Sequence, residues 1–86
     1  MALPGSLWIG LAAGACTTLS FVPQVVKTVR TRDTRSLSLG MYLIFTAGVA
    51  LWLAYGLAIG DLAIALCNGV TLLLAGVVLA YKLRLG

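Results

Sequence analysis

Residues 39–81 read LGMYLIFTAGVALWLAYGLAI, then GD, then LAIALCNGVTLLLAGVVLAY: two apolar runs of similar length parted by the turn pair Gly60-Asp61. Each run, 39–59 and 62–81, is close to the ~20 residues that carry a helix across a ~30 Å hydrocarbon core. Gly60 leaves room only for a tight turn, so the two helices must fold back on each other as an antiparallel hairpin. Asp61 can cap the later helix, where its charge favours the positive end of the dipole, and Ser36 or Ser38 can cap the earlier one. A further apolar stretch, 6–26, precedes the hairpin and is opened by Pro4-Gly5-Ser6. Three spans exhaust a chain of 86 residues. The expected architecture is an all-α membrane protein, a single domain over 1–86 with spans at 6–26, 39–59 and 62–81.

Composition agrees with that class. The chain is 62% hydrophobic and 9% charged, against about 25% charged in a soluble domain, and its mean hydropathy is +1.11. It has no histidine. A soluble enzyme is excluded, since no nucleophile–base pair, metal cluster or phosphate loop is present. No cofactor or metal is implied. Cys16 and Cys67 both lie inside apolar stretches, where a thiol packs as a small hydrophobe, and neither has the neighbours of a disulfide or metal site. The lead segment Met1 to Ser6 lacks Lys and Arg, and the apolar run behind it outlasts a signal h-region of about 7–15 residues, so the first span reads as retained.

Charge sets orientation. Lys27, Arg30, Arg32 and Arg35 occupy the first connection, and Lys82 and Arg84 follow the last span, so every basic residue falls on one side, while Asp61 marks the other. Basic short loops stay cytoplasmic, which places the N-terminus and the Gly60-Asp61 turn outside and the C-terminus inside. The net charge of +4 is a topology signal before it is a surface for nucleic acid or acidic lipid. Nucleic acid is not an expected partner; the lipid bilayer is.

Within the first span, Pro23-Gln24 places a helix breaker and an amide at membrane depth. Proline lacks the donor for the carbonyl of Leu19 and clashes with it, so the helix should kink or break there. Backbone groups freed in lipid need protein or a wet cavity, which predicts a cavity beside the dipeptide. Trp52 and Asn68 lie six to seven residues from the Gly60-Asp61 turn on either side of it, so at ~1.5 Å per residue they reach one level and can face one cavity. An indole offers a flat face to the C–H side of a sugar ring, and an amide offers a donor and an acceptor to its hydroxyls. The alternatives are an interfacial Trp and an Asn that only links helices. Gly10 with Gly14, and Gly56 with Gly60, have the spacing of close helix packing. Three helices are too few to enclose a polar path, whereas a two-fold dimer would surround an axial cavity with two copies of each polar residue.

Ser20-Phe21-Val22-Pro23-Gln24-Val25-Val26, then Thr31-Arg32-Asp33-Thr34-Arg35-Ser36, Met41-Tyr42, Trp52-Leu53-Ala54-Tyr55-Gly56 and Asn68-Gly69-Val70-Thr71-Leu72 together resemble a bacterial SemiSWEET sugar transporter of the PQ-loop and MtN3 group. The resemblance runs from about residue 6 to residue 84. It implies a three-helix bundle in packing order 1-3-2 that pairs as a parallel homodimer in the bacterial inner membrane. It also implies substrate contacts at Trp52 and Asn68, pocket lining by Leu19 and Cys16, and a hinge at Pro23 and Gln24. The outer gate falls on Tyr55 and Asp61, with Ile59 standing where relatives often have a basic residue; a Tyr55–Asp61 hydrogen bond across the dimer axis is the expected substitute. The inner gate falls on Met41 and Phe45. No Asp, Glu, Lys, Arg or His lies within the spans apart from their ends, so uncoupled, facilitated movement of a mono- or disaccharide, glucose or sucrose in class, is expected. A carrier of another small metabolite such as an amino acid, or a non-transport membrane assembly protein, stay open as alternatives.

Overall fold

The computed structural model describes residues 4–86, so the first three residues of the lead segment lie outside it. Four helices follow in order: α1 (Pro4–Leu19), α2 (Val22–Thr31), α3 (Leu39–Ile59) and α4 (Leu62–Leu85). They make three helical stretches long and apolar enough to cross a membrane, because α1 and α2 form one interrupted span over Gly5–Thr31. The described chain is 43 Å long, the thickness of a bilayer with its headgroups, about 40–45 Å.

The caps are local and legible. The Ser38 hydroxyl accepts from the Met41 N–H at 3.2 Å, and Asp61 Oδ1 accepts from the Ile64 N–H at 3.0 Å, each satisfying a first-turn donor. Gly60 closes α3 in the left-handed conformation at φ 69°, which only glycine adopts without cost. A Cβ there would meet nothing within 4 Å, so its spacing from Gly56 reflects a cap and not a packing pair. Two helices also outrun the apolar stretches. The first span continues to Thr31 and the last to Leu85, because Lys and Arg at helix ends keep their stems along the helix while their heads reach water.

α4 lies between the first span and α3. No Cα of α1 or α2 comes within 8 Å of one in α3, whereas both approach α4, giving the packing order 1-3-2. Small residues set the approach. A Cβ on Gly14 would lie 2.6 Å from Cys67 Cβ and one on Gly10 would lie 3.0 Å from Ala63 Cβ, so the backbone of the first span rests directly on these two side chains of α4. Gly56 packs as closely against Ile64 and Ala65, which holds the hairpin tight. On α3 the buried residues Tyr42, Val49 and Gly56 recur every seven positions, a stripe that keeps one face on its neighbour. Buried hydroxyls then join α1 to α4: the Thr18 and Thr71 hydroxyl oxygens are 2.7 Å apart, and the Thr71 hydroxyl donates to the Cys67 carbonyl at 2.8 Å. At the basic end, Lys82 Nζ donates to the Thr34 carbonyl at 2.9 Å, fastening the connection 32–38 to the last turns of α4. Thr34 is buried there.

Candidate functional site

The interruption of the first span is built from its own residues. The Phe21 N–H bonds three residues back, to the Thr18 carbonyl at 3.0 Å, and the Thr17 carbonyl takes the Ser20 hydroxyl at 2.7 Å in its place. Leu19 cannot find its usual donor, because Pro23 has no N–H. The Ser20 carbonyl accepts no hydrogen bond among the described residues. Pro23 therefore sits in the first turn of α2, where its missing donor is tolerated.

A cavity of about 380 Å³ lies against this break, lined by Thr17, Ser20, Phe21, Phe45, Val49, Trp52, Asn68 and Thr71. Trp52 and Asn68, from different spans, thus share one chamber. Its volume is near the low end of ligand sites, about 300–1,000 Å³. The Asn68 amide donates to the Ile64 carbonyl of its own helix at 2.9 Å, and its oxygen has no partner among the described residues. Trp52 also borders a second, shallower recess of about 550 Å³ with Gly48, Leu51, Tyr55 and Ile64. Its ring meets that of Tyr55 edge to face at 5.7 Å, and both side chains are more than half exposed.

The remaining residues fall as follows. Phe45 stacks on Phe21 at 5.3 Å, and Phe21 meets Tyr42 edge to face at 6.2 Å, so the break is pinned by rings from α3. Met41 is exposed and outside the chamber. Cys16 and Leu19 are exposed as well and do not line it; the first span contributes Thr17, Ser20 and Phe21 instead. The reason is phase: Leu19 and Cys16 share the face of Pro23 only in an unbroken helix, and the tight turn at Ser20-Phe21 rotates everything before it. Gln24 is half-buried, and its side chain makes no hydrogen bond among the described residues. Asp61 caps α4, leaving one carboxylate oxygen unused. Thr17, Thr18, Ser20 and Thr71 were not singled out by sequence reasoning, although hydroxyls clustered inside an apolar span are the kind of signal that marks a polar path. Outside the membrane, hydrogen bonds from Arg35 hold the Asp33 carboxyl below its ordinary range, and the two side chains pair at 3.2 Å.

The PQ loop repeat family model matches residues 5–75 of this chain, the break and the chamber included. The chain belongs to the PQ-loop family. Among PQ-loop relatives, the sugar transporter SemiSWEET of Bradyrhizobium diazoefficiens is 51% identical over 78 residues, covering 91% of each chain. That of Leptospira biflexa is 47% identical over 78 residues, covering 91% of this chain and 92% of the relative. A crystal structure of SemiSWEET in the inward-open conformation superposes with a TM-score of 0.89 at 44% identity, covering 95% of this chain and 88% of that one. A second, a bacterial homologue of SWEET transporters, gives 0.86 at 34% identity over 94% and 98%.

Proposed function

We propose that this protein carries a neutral sugar across the bacterial inner membrane by facilitated, uncoupled exchange, working as a parallel homodimer. The observation that carries the reading is the convergence of Trp52 and Asn68 on one chamber beside the broken first span. An indole face, an amide oxygen without a partner and hydroxyls at Thr17, Ser20 and Thr71 match the alternating C–H and O–H surface of a saccharide. No charge is offered at that depth. The basic residues lie on α2, on the connection after it and at the end of α4, so a carboxylate substrate such as an amino acid would find no cation in the chamber. Relatives named as sugar transporters at 51% and 47% identity support the same reading.

In the proposed cycle, two copies face each other across their chambers, and glucose or sucrose binds between paired Trp52 and Asn68 side chains. Bending at Ser20-Phe21, with Pro23 and Gln24 on the moving side, opens the basic end, which is cytoplasmic by its charge. Phe45 and Met41 close that end. At the other, a Tyr55 hydroxyl of one copy donates to the free Asp61 oxygen of the second, in place of an ion pair that Ile59 cannot make. Binding by a few neutral hydrogen bonds and one stacking face gives roughly millimolar affinity, about 4 kcal/mol, weak enough for rapid release.

The test is counterflow of labelled glucose and sucrose in proteoliposomes, with and without a pH gradient. Trp52→Ala and Asn68→Ala should each abolish most flux while the protein remains folded and dimeric. Undiminished flux in both would remove the site assignment, and acceleration by a pH gradient would remove the uncoupled mechanism.

A further inference from the structure

Away from the chamber, at the basic end, Arg32, Tyr81, Arg84 and Leu85 line a cleft of about 210 Å³ between the end of α2 and the last turns of α4. Arg32 caps α2 in the left-handed conformation, at φ 55° and ψ 23°, with its N–H on the Thr28 carbonyl. A non-glycine residue rarely holds that geometry unless its surroundings impose it. Here the connection is fastened by Lys82 to the Thr34 carbonyl, and an arginine at the end of the first span lines the same cleft as one from the last. Neither Arg32 nor Arg84, nor the Tyr81 hydroxyl, makes a side-chain hydrogen bond or ion pair among the described residues. The nearby acid, Asp33, is already paired with Arg35 at 3.2 Å.

We propose that the cleft between Arg32 and Arg84 binds the phosphate of an anionic membrane phospholipid. Two forked guanidiniums present parallel N–H pairs that match phosphate oxygens, and the Tyr81 hydroxyl adds a donor. The carbonyl ends of α2 and α4 both approach the cleft and oppose an anion, but they contribute only about half an elementary charge each. Two full positive charges outweigh them. Leu85 gives the cleft an apolar wall, and the cleft sits at the ends of two spanning stretches, the level at which a lipid headgroup lies and a soluble phosphate gains nothing from the bilayer. These features favour a lipid as the source of the phosphate. The site is independent of the transport reading, because none of its residues borders the chamber.

The experiment places the full chain in nanodiscs of mixed phosphatidylglycerol and phosphatidylcholine and counts retained lipids by native mass spectrometry. Wild type should keep phosphatidylglycerol selectively, and Arg32→Gln with Arg84→Gln should lower that retention about fivefold per arginine. Arg30→Gln, which removes the same charge outside the cleft, should leave it unchanged. Tyr81→Phe keeps the ring and removes one donor, so it serves if the double variant fails to fold; about a threefold loss is expected, and wild-type retention would overturn the site. Equal loss in Arg30→Gln would also overturn it, by showing that charge acts diffusely. Displacement of the lipid by millimolar inorganic phosphate would overturn the lipid as the source.

Discussion

Replacing Pro23 by alanine tests what holds the first span open. In an unbroken helix running from Pro4 to Thr31, Pro23 would be an interior residue and would cost about 3 kcal/mol relative to Ala. In the observed structure it stands in the first turn of α2 and costs little. Proline therefore biases the chain toward the break by about 3 kcal/mol, roughly a hundredfold in population. Three other contacts favour the break without it. The Phe21 ring pairs with Phe45 and Tyr42, each worth about 0.5–1.5 kcal/mol, and the Ser20 hydroxyl satisfies the Thr17 carbonyl, worth about 1 kcal/mol. Against them, a continuous helix would let residue 23 donate to Leu19 and Gln24 donate to Ser20, about 0.5–1.5 kcal/mol each where water in the chamber serves those carbonyls in the broken form. With proline gone the break keeps an edge of only about 1 kcal/mol, so both forms are populated.

Pro23→Ala alone should leave a mixture, and Pro23→Ala with Phe21→Ala should straighten the span. The measurement is amide hydrogen exchange in nanodiscs at Gln24, whose N–H lacks the Ser20 carbonyl as partner in the broken form. Protection should rise modestly in the single variant and strongly in the double. Counterflow should fall in the same order if bending at this point opens the basic end. If the double variant exchanges at Gln24 as fast as wild type, proline is not what breaks the helix. If protection rises and transport is unaffected, the break is a static feature and not the moving part.

Other perturbations act on packing and charge. Gly14→Ala adds a Cβ 2.6 Å from Cys67 Cβ; overpacking of about 1–3 kcal/mol outweighs the gain in helix propensity of about 1 kcal/mol, so thermal melting in detergent should occur lower, whereas Gly76→Ala, with open space around it, should melt no lower than wild type. Thr18→Val removes the buried contact to Thr71 but leaves Thr71 bonded to the Cys67 carbonyl, so the cost should be small, about 0.6 kcal/mol, and a loss above about 2 kcal/mol would mean that the hydroxyl pair matters more than interhelical bonds in membranes usually do. The Asp33 carboxyl titrates below its ordinary range, so the stability it adds is fully present above that range and is lost only as pH falls through the lowered value. With no histidine in the chain, melting and sugar flux should both be flat between about pH 5 and pH 8; a midpoint in that window would reveal a titrating group in the cycle.

Much of this fold could be read from letters because it rests on local rules. Span length, the Gly60-Asp61 turn and the caps at Ser38 and Asp61 each depend on a few adjacent residues. The face that the first span turns toward the chamber was not readable in the same way. Leu19 and Cys16, implied by the resemblance, share the face of Pro23 only in an unbroken helix, yet one bond from Phe21 back to Thr18 shifts the register and brings in Thr17, Ser20 and Phe21. Gly10 and Gly14 were legible as packing residues, but that they meet Ala63 and Cys67 depends on tertiary approach. The cleft of Arg32 and Arg84 joins positions far apart in sequence, and the left-handed turn at Arg32 leaves no mark in composition.

The chamber's chemistry favours the proposed pairing of two copies. The Asn68 oxygen and the Ser20 carbonyl lack partners among the described residues, whereas the Thr17, Ser20 and Thr71 hydroxyls donate to carbonyls of their own spans; all belong to residues that line a chamber whose walls include Trp52 at 56% exposure and Phe45 at 37%. If that opening faced hydrocarbon, each unpaired polar group would cost several kcal/mol, more than the interhelical contacts of so small a bundle can offset. Water could satisfy those groups only if something excludes lipid from the opening. A second copy of the same face would do so and would meet the first with matching apolar rims at Leu51, Trp52 and Tyr55. A neutral, hydroxyl-rich solute could then replace that water without the chamber ever presenting a charge. The features that make a lone protomer costly in lipid are, on this reading, the ones that let a pair of them bind sugar and release it.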